Sequence, residues 1–175
     1  ITVPSFWENQ GITTANPNWT KDDMNKPYSG YAWYRKQVKI PSTWTGQTVF
    51  LVLGKVDDLD WTYWNGDLVG HIGEETNMPD RAERMYAIPP DKIKAGKENV
   101  LAIRVCDIRG NGGIYEGPLE LSFGEKPDVD MFAGSNAGAS IKYNDIVKIG
   151  SSIHVMPNEQ INGDVVSIGG SVTVE

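Results

Sequence analysis

The sequence has 175 residues, of which 39% are hydrophobic and 22% are charged, so it carries enough apolar side chains for a folded domain of ordinary size. Its formal net charge of −7 disfavours phosphate backbones and anionic lipid surfaces, so we expect neither a nucleic-acid nor a membrane partner. The single cysteine excludes an internal disulfide framework.

Short apolar runs alternate with Gly, Pro, Asn and Asp, and helical periodicity is almost absent, which is typical of an all-β protein. The predicted strands are, in chain order, 32–40, 48–54, 59–64, 67–72, 84–88, 99–106 and 119–123. The pair Asn65-Gly66 predicts a two-residue hairpin, and a single helical turn is expected at 91–95. The number and spacing of the strands favour a two-sheet jelly-roll β-sandwich.

The alternation of side chains along two strands predicts which residues face the core. Leu101, Ile103 and Val105 share one side of strand 99–106 and should be buried. Trp33 lies on the mostly polar side of strand 32–40, so we expect it on a solvated face.

The C-terminal part differs from the jelly-roll domain, which is expected to occupy residues 1–124. Residues 125–140 are rich in Gly, Ala, Ser and Asp, a composition that predicts a linker. In segment 141–175 the stretch VKIGSSIHV recurs as VSIGGSVTV, which predicts a partial β-solenoid. Two copies bury little, so the natural chain is expected to continue past residue 175, or the tail to pack on the sandwich or on another chain.

A catalytic carboxylate pair is one interpretation of the run VDDLD. Asp58 and Asp60 share a strand face about 6.6 Å apart, within the range of roughly 5 to 9.5 Å found in glycosidases. The structural interpretation is that these aspartates cap the hairpin, accept backbone hydrogen bonds or pair with an arginine. The candidate partners are Arg35, Arg81, Arg84 and Arg104. No nucleophile motif accompanies the pair, so we do not expect the chain to be an enzyme on its own.

No cofactor is expected from the sequence. The clustered aspartates do offer the hard oxygen ligands that Ca²⁺ takes, which leaves a structural calcium as an alternative, although no EF-hand loop is present. His71 and His154 are isolated and do not have the spacing of metal ligands.

Carbohydrate binding asks for flat aromatic rings beside fixed polar groups, and the sequence offers that mixture at 58–65 and again at 106–118. Either the aromatic rings and polar groups contact a sugar, or the tryptophans belong to the core and the loops only connect strands. Trp61 and Trp64 are three positions apart and so lie on opposite faces of the predicted strand, which means that at most one of them should face the interior. The candidate sugar contacts are Trp33, Asp58, Asp60, Trp64, Asn65, Asp107, Arg109 and Tyr115.

The segments VPSFWENQGI, YSGYAWYRKQVKIP, LVLGKVDDLDWTYWNGDLVGH, KAGKENVLAIRVCD and GNGGIYEGPLEL carry a family resemblance. Over residues 3–121 the sequence resembles the sugar-binding domain of glycoside hydrolase family 2, and the VDDLD form is similar to the accessory domain of sialate O-acetylesterase-like proteins. The tail resembles bactofilin-type solenoid repeats.

The resemblance implies a galactose-binding-like jelly roll that supports a separate catalytic domain. Asn65 and Asp107 occupy positions that, in the galactosidase relatives, reach toward the neighbouring active site. A linker follows the jelly roll here in place of the family's catalytic barrel, which counts against a β-galactosidase role.

We therefore expect a non-catalytic carbohydrate-binding or accessory domain of a larger hydrolase, extracellular or periplasmic in a bacterium. Its partners would be an oligosaccharide or polysaccharide and a neighbouring catalytic domain. The first alternative is a scaffold that binds no sugar and self-associates through its C-terminal strands. The second is a hydrolase that acts on glycosides.

Overall fold

A computed structural model describes residues 1–12, 27–124 and 126, and the backbone of six short strands between residues 141 and 174. Within that part of the chain the regular structure consists of β-strands and short 3-10 turns, arranged around two main sheets. This confirms the predicted all-β sandwich class. The helices of the described residues include none with the length and hydropathy needed to cross a membrane. The predicted linker lies outside the described residues apart from Lys126.

Within residues 1–12 and 27–124 the structure has eight strands, and seven of them are those predicted from the sequence, with ends moved by up to three residues. They are β1 (Gly30–Lys39), β2 (Val49–Asp57), β3 (Leu59–Trp64), β4 (Asp67–Ile72), β5 (Glu83–Ile88), β6 (Glu98–Asp107), β7 (Gly113–Glu116) and β8 (Glu120–Phe123). Strand β7 was not predicted, because its four residues follow a Gly-rich run. The expected helical turn is a 3-10 turn at Pro90–Lys92.

The strands form two main sheets. One has the order β1-β6-β3-β4, and the other contains β5, β2 and β8 in that order, with β7 paired to β2. The hairpin between β3 and β4 turns at Asn65 and Gly66, whose φ angles of 51° and 96° are those of the predicted two-residue turn.

The chain divides into two compact units, of which the first comprises Ile1–Lys36, Leu53–Arg84 and Val100–Gly117. Alternation in β6 buries Leu101, Ile103 and Val105, as predicted. The same unit buries further apolar side chains in its core: Trp7, Leu53, Val56, Leu59, Trp64 and Ile114.

The second unit comprises Gln37–Val52, Met85–Asn99 and Pro118–Glu175. Its core contains Trp44, which is fully buried and lies 4.9 Å from Phe123, measured between ring centroids. Asn99 is also buried, and its side chain bonds the backbone of Lys94 and Lys97. The loop before β6 is thereby held by a satisfied polar side chain.

Each C-terminal strand pairs in parallel with a strand that lies a fixed number of residues away in the sequence. They are β9 (Ile141–Lys142), β10 (Ile146–Ile149), β11 (Ile153–Val155), β12 (Gln160–Ile161), β13 (Val165–Ile168) and β14 (Val172–Val174). Strand β9 pairs with β12, β10 with β13 and β11 with β14, and each residue faces the one 19 positions later. Strand β10 also pairs antiparallel with β8, so these strands continue a sheet of the preceding segment.

Candidate functional site

Three carboxylates lie close together at the connection between β2 and β3. Strand β2 ends at Asp57, a cis peptide bond leads to Asp58, and β3 begins at the next residue. Strand β6 runs antiparallel beside β3 and ends at Asp107, which brings that side chain to the same end of the sheet. One carboxylate oxygen from each aspartate lies within 4.8 Å of the other two. We call Asp57, Asp58 and Asp107 the acidic cluster.

The cluster is held by backbone hydrogen bonds to Asp58. Its Oδ2 accepts a hydrogen bond from the Ile108 N–H at 2.8 Å, and its own N–H donates to the Cys106 carbonyl at 3.1 Å. Asp58 therefore ties the reversal between β2 and β3 to the loop that follows β6, and this fixes where the carboxylates lie.

Asp107 is the most enclosed member of the cluster, with 2% of its surface exposed. Neither of its carboxylate oxygens makes a hydrogen bond of normal geometry. Burial raises its pKa to about 6, and the negative charges of Asp58 and Glu8 act in the same direction. The Ser29 side chain and the Arg109 backbone lie near enough to lower that pKa but do not outweigh the burial.

The pKa of Asp57 is raised further than that of Asp107. Burial raises its pKa to about 8, and the adjacent Asp58 carboxylate, then Asp107 and Asp80, add to the rise. Burial and the neighbouring carboxylates thus favour the protonated form of the Asp57 carboxyl in the absence of a bound cation. The arrangement favours uptake of a proton or a cation.

Asp60 does not belong to this cluster, although it is only two residues from Asp58. It is fully buried, its Oδ1 lies 3.1 Å from Arg84 Nε, and its Oδ2 accepts the Thr62 hydroxyl at 2.8 Å. The prediction that Asp60 contacts a sugar is corrected, because no part of it reaches the surface. Asp60 instead pairs with an arginine, as the structural interpretation of the aspartates proposed. It is therefore not available for a catalytic pair with Asp58.

Other predicted contacts also serve the fold. Trp64 is fully buried, which corrects its assignment as a stacking surface and leaves Trp61 as the half-exposed member of that pair. Tyr115 stacks on Phe6 with ring centroids 4.6 Å apart, and its hydroxyl donates to a backbone carbonyl. Arg109 lies exposed in the loop after β6.

Asn65 lies at the opposite end of β3 from the acidic cluster. Its Oδ1 accepts the Val100 N–H at 3.0 Å, and its N–H donates to the Val100 carbonyl at 2.8 Å. The six residues of β3 lie between Asp58 and Asn65, so the two residues are about 23 Å apart by strand rise. The predicted polar contacts are therefore not gathered into one site.

Four aromatic rings instead lie together on the outer face of the sheet that contains β1, β6 and β3. Tyr31 and Trp33 of β1 are more than half exposed. The ring of Tyr31 lies 6.3 Å from that of Trp61, and the ring of Trp33 lies 5.7 Å from that of Tyr63, between centroids. We call Tyr31, Trp33, Trp61 and Tyr63 the aromatic platform.

Strand β6 runs between the two strands that carry the rings, and its residues shape the aromatic platform. Ala102 is opposite Tyr63 in the ladder, and its small side chain leaves room for Tyr63 and Trp33 to approach each other. Arg104 is opposite Trp61, and its guanidinium lies 4.2 Å from that ring and 5.1 Å from the ring of Tyr31. Such contacts contribute roughly 0.5 to 2 kcal/mol.

Two guanidinium groups thus accompany the rings. Arg35 lies 5.7 Å from the ring of Trp33, and the buried Nε of Arg104 has no hydrogen-bond partner. Of these residues the sequence analysis named Trp33 as a sugar contact but did not name Tyr31, Trp61, Tyr63 or Arg104. The available signal was strand alternation, which places residues 61 and 63, and residues 102 and 104, on shared faces.

Comparison with known proteins gives one enzyme class. The chain is 30% identical over 90 residues to a protein of Formosa agariphila, in an alignment that covers 51% of this chain and 9% of that protein. Among solved structures, one from Bacteroides uniformis matches with a TM-score of 0.50 and 24% identity, covering 66% of this chain and 13% of the other. One from Dictyoglomus thermophilum matches with a TM-score of 0.46 and 23% identity, covering 61% and 16%.

These relatives are β-glucuronidases. They belong to glycoside hydrolase family 2, the family that the sequence resembles, and the Bacteroides uniformis match supports the fold. No protein-family model matches the chain. The chain spans less than a sixth of the length of each of these three relatives. The resemblance of the tail to bactofilin-type repeats stays a prediction.

Proposed function

We propose that this chain is a non-catalytic carbohydrate-binding domain of a larger protein related to glycoside hydrolase family 2, and that the aromatic platform is its ligand surface. The observation that carries the proposal is the pair of ring contacts on one sheet face, with a guanidinium over two of the rings. Sugar rings present C–H faces that pack on flat aromatic side chains.

The exposure of the platform supports a ligand surface. Large aromatic side chains that stay exposed beside one another mark binding surfaces more often than isolated apolar residues do. Tyr31 and Trp33 are two residues apart on β1, so the two ring pairs follow each other at about 6.6 Å along the strand. A ligand that contacts both pairs needs at least two neighbouring sugar units.

The arginines favour an acidic saccharide. A carboxylate on a sugar would form a charge-assisted hydrogen bond with the guanidinium of the partly exposed Arg104, or with Arg35 at the other ring pair. The relatives are β-glucuronidases, and this independently suggests a sugar that carries a carboxylate. We therefore propose a uronic-acid-containing oligosaccharide as the ligand.

The proposed setting is a longer bacterial protein, extracellular or periplasmic, in which a neighbouring domain performs the hydrolysis. The ion pair of Asp60 with Arg84 supports a non-catalytic role, because it occupies one of the two carboxylates predicted as a catalytic pair.

The test is calorimetric titration of the whole chain with a soluble oligogalacturonate and with a neutral oligosaccharide of equal length. We expect binding of the acidic ligand with Kd of about 1 mM, equivalent to roughly 4 kcal/mol. Trp33→Ala should weaken it by about tenfold, since a central aromatic contact contributes about 1 to 2 kcal/mol, and Trp33→Phe should restore part of that loss. Arg104→Gln should remove the preference for the acidic ligand.

Met78→Ala is the matched control, because Met78 is exposed to 55% and Trp33 to 51%, and Met78 lies outside the four-stranded sheet. The proposal is wrong if neither saccharide binds, or if Trp33→Ala binds as the unmodified chain does. Turnover of a chromogenic glycoside or an acetyl ester that disappears in Asp58→Asn would instead establish a hydrolase.

A further inference from the structure

The acidic cluster takes no part in the aromatic platform and has a separate use. We propose that Asp57, Asp58 and Asp107 bind a hard divalent cation, and that Ca²⁺ is the ion that fits them best. The inference is independent of the proposed function, since it concerns other residues and another kind of ligand.

The oxygen spacing suits this ion. Ca²⁺ takes oxygen ligands at 2.3 to 2.6 Å, so two oxygens bound to one ion lie at most about 5 Å apart. The three carboxylates each place an oxygen within 4.8 Å of the others, which meets that limit. Mg²⁺ requires a near-ideal octahedral shell and keeps several of its waters, whereas Ca²⁺ accepts a flexible set of carboxylate oxygens, so the three aspartates favour Ca²⁺.

Asp107 supplies an independent observation. Its side chain is almost completely enclosed, neither carboxylate oxygen makes a hydrogen bond of normal geometry, and one of them lies within 4.8 Å of an oxygen of each of the other two aspartates. A buried carboxylate without partners is costly, and native structures normally provide a hydrogen bond or an ion. A cation between the three side chains would provide the missing partner.

The charged groups around the acidic cluster also favour a bound cation. The charged groups that act on the Asp57 carboxyl are Asp58, Asp107 and Asp80, and those that act on the Asp107 carboxyl are Asp58 and Glu8, all of them carboxylates. Glu8 itself has one buried oxygen without a partner, and its other oxygen accepts the Gly112 N–H at 3.2 Å.

Arg84 donates to the backbone of Asp58 but does not balance these charges by a side-chain pair with the cluster. Arg84 pairs with Asp60 and donates its remaining hydrogen bonds to the carbonyls of Pro79, Ala82 and Asp58. A bound cation would therefore both lower the repulsion and join the reversal between β2 and β3 to the loop after β6.

The experiment uses the whole chain after treatment with EDTA and dialysis. Calorimetry with CaCl₂ should show one site with Kd below about 1 mM, and Tm should rise by about 5 °C or more at a hundredfold excess over Kd. MgCl₂ should bind more weakly, and NaCl at matched ionic strength should not reproduce the shift. Asp107→Asn should weaken Ca²⁺ binding at least tenfold. Asp91→Asn, which removes an exposed carboxylate from the 3-10 turn before β6, should leave it unchanged.

A second readout is Tb³⁺ luminescence excited through tryptophan, because the Trp7 ring lies beside Gly112 and close to Asp107. Should Asp107→Asn fail to fold, Asp57→Asn provides the same comparison. The inference is overturned if the unmodified chain shows no heat with Ca²⁺. It is also overturned if Asp107→Asn and Asp57→Asn retain full affinity, or if NaCl stabilises the chain as much as CaCl₂ does.

Discussion

Replacing Arg84 by methionine should destabilise the protein more than other single substitutions near the acidic cluster. Arg84 and Asp60 are both fully buried, and Arg84 donates four hydrogen bonds, one to Asp60 and three to backbone carbonyls. Methionine keeps the apolar stem and much of the volume but provides none of these donors. The change therefore leaves a carboxylate and three carbonyl oxygens without the guanidinium.

The magnitude follows from what remains buried. Removing one partner of a buried ion pair costs about 3 to 5 kcal/mol, because the other charge stays in the interior. Each carbonyl that loses its donor adds roughly 1 kcal/mol unless water replaces it, and the apolar burial of methionine offsets part of that cost. We expect a net loss of about 4 kcal/mol, out of a total stability that is typically about 5 to 15 kcal/mol.

Urea denaturation at neutral pH, followed by tryptophan fluorescence, measures this loss as a lower midpoint at an unchanged slope. Thr62→Val is the matched control, because it removes a single hydrogen bond to the Asp60 carboxylate and should cost only about 2 kcal/mol. Arg84→Lys keeps the charge but not the planar arrangement of donors and should fall between the two. If Arg84→Met costs no more than Thr62→Val, the argument from the buried pair is refuted.

Three further changes test the backbone and the cluster. Gly54→Ala should lower the free energy of unfolding, measured in urea, by about 2 kcal/mol or more, because φ is +63° and a Cβ would lie 2.1 Å from the Glu116 carbonyl oxygen. Gly46→Ala is the control and should cost only about 1 kcal/mol, because its φ is +76° but the space around it is open. Asn65→Ala should lower the urea midpoint more than Asn65→Gly, since glycine keeps the left-handed turn while both lose the bond to β6. In EDTA, Tm should fall as pH rises from 4 to 8, because the pKa of Asp57 is raised from 3.8 to about 8 and the folded state binds this proton more tightly than the unfolded chain. Asp57→Asn should flatten that profile, and a profile that stays unchanged would contradict the assignment.

Strand positions and faces could be predicted from the sequence because they depend on local alternation. Leu101, Ile103 and Val105 are buried and Trp33 is exposed, as the period of two in their strands requires. The turn at Asn65 was also predictable, because few residues adopt its positive φ.

Contacts between distant segments could not be predicted in the same way. Four arginines were candidates for Asp60, and the choice of Arg84 depends on where β5 runs 24 residues later. The meeting of Asp107 with Asp58 depends on the register between β3 and β6, which no local pattern specifies. The aromatic platform likewise needs the strand order β1-β6-β3, in which small Ala102 lies between the two strands that carry the rings.

The fixed spacing of the paired C-terminal strands makes the length of that array adjustable. Adding or removing a whole block of 19 residues would preserve every existing register and change the stack by one strand separation, about 4.8 Å. Adding a single residue would instead turn the following strand over, so that its two faces exchange places. Evolution or an engineer can therefore vary this array in whole repeats but not in fractions of one.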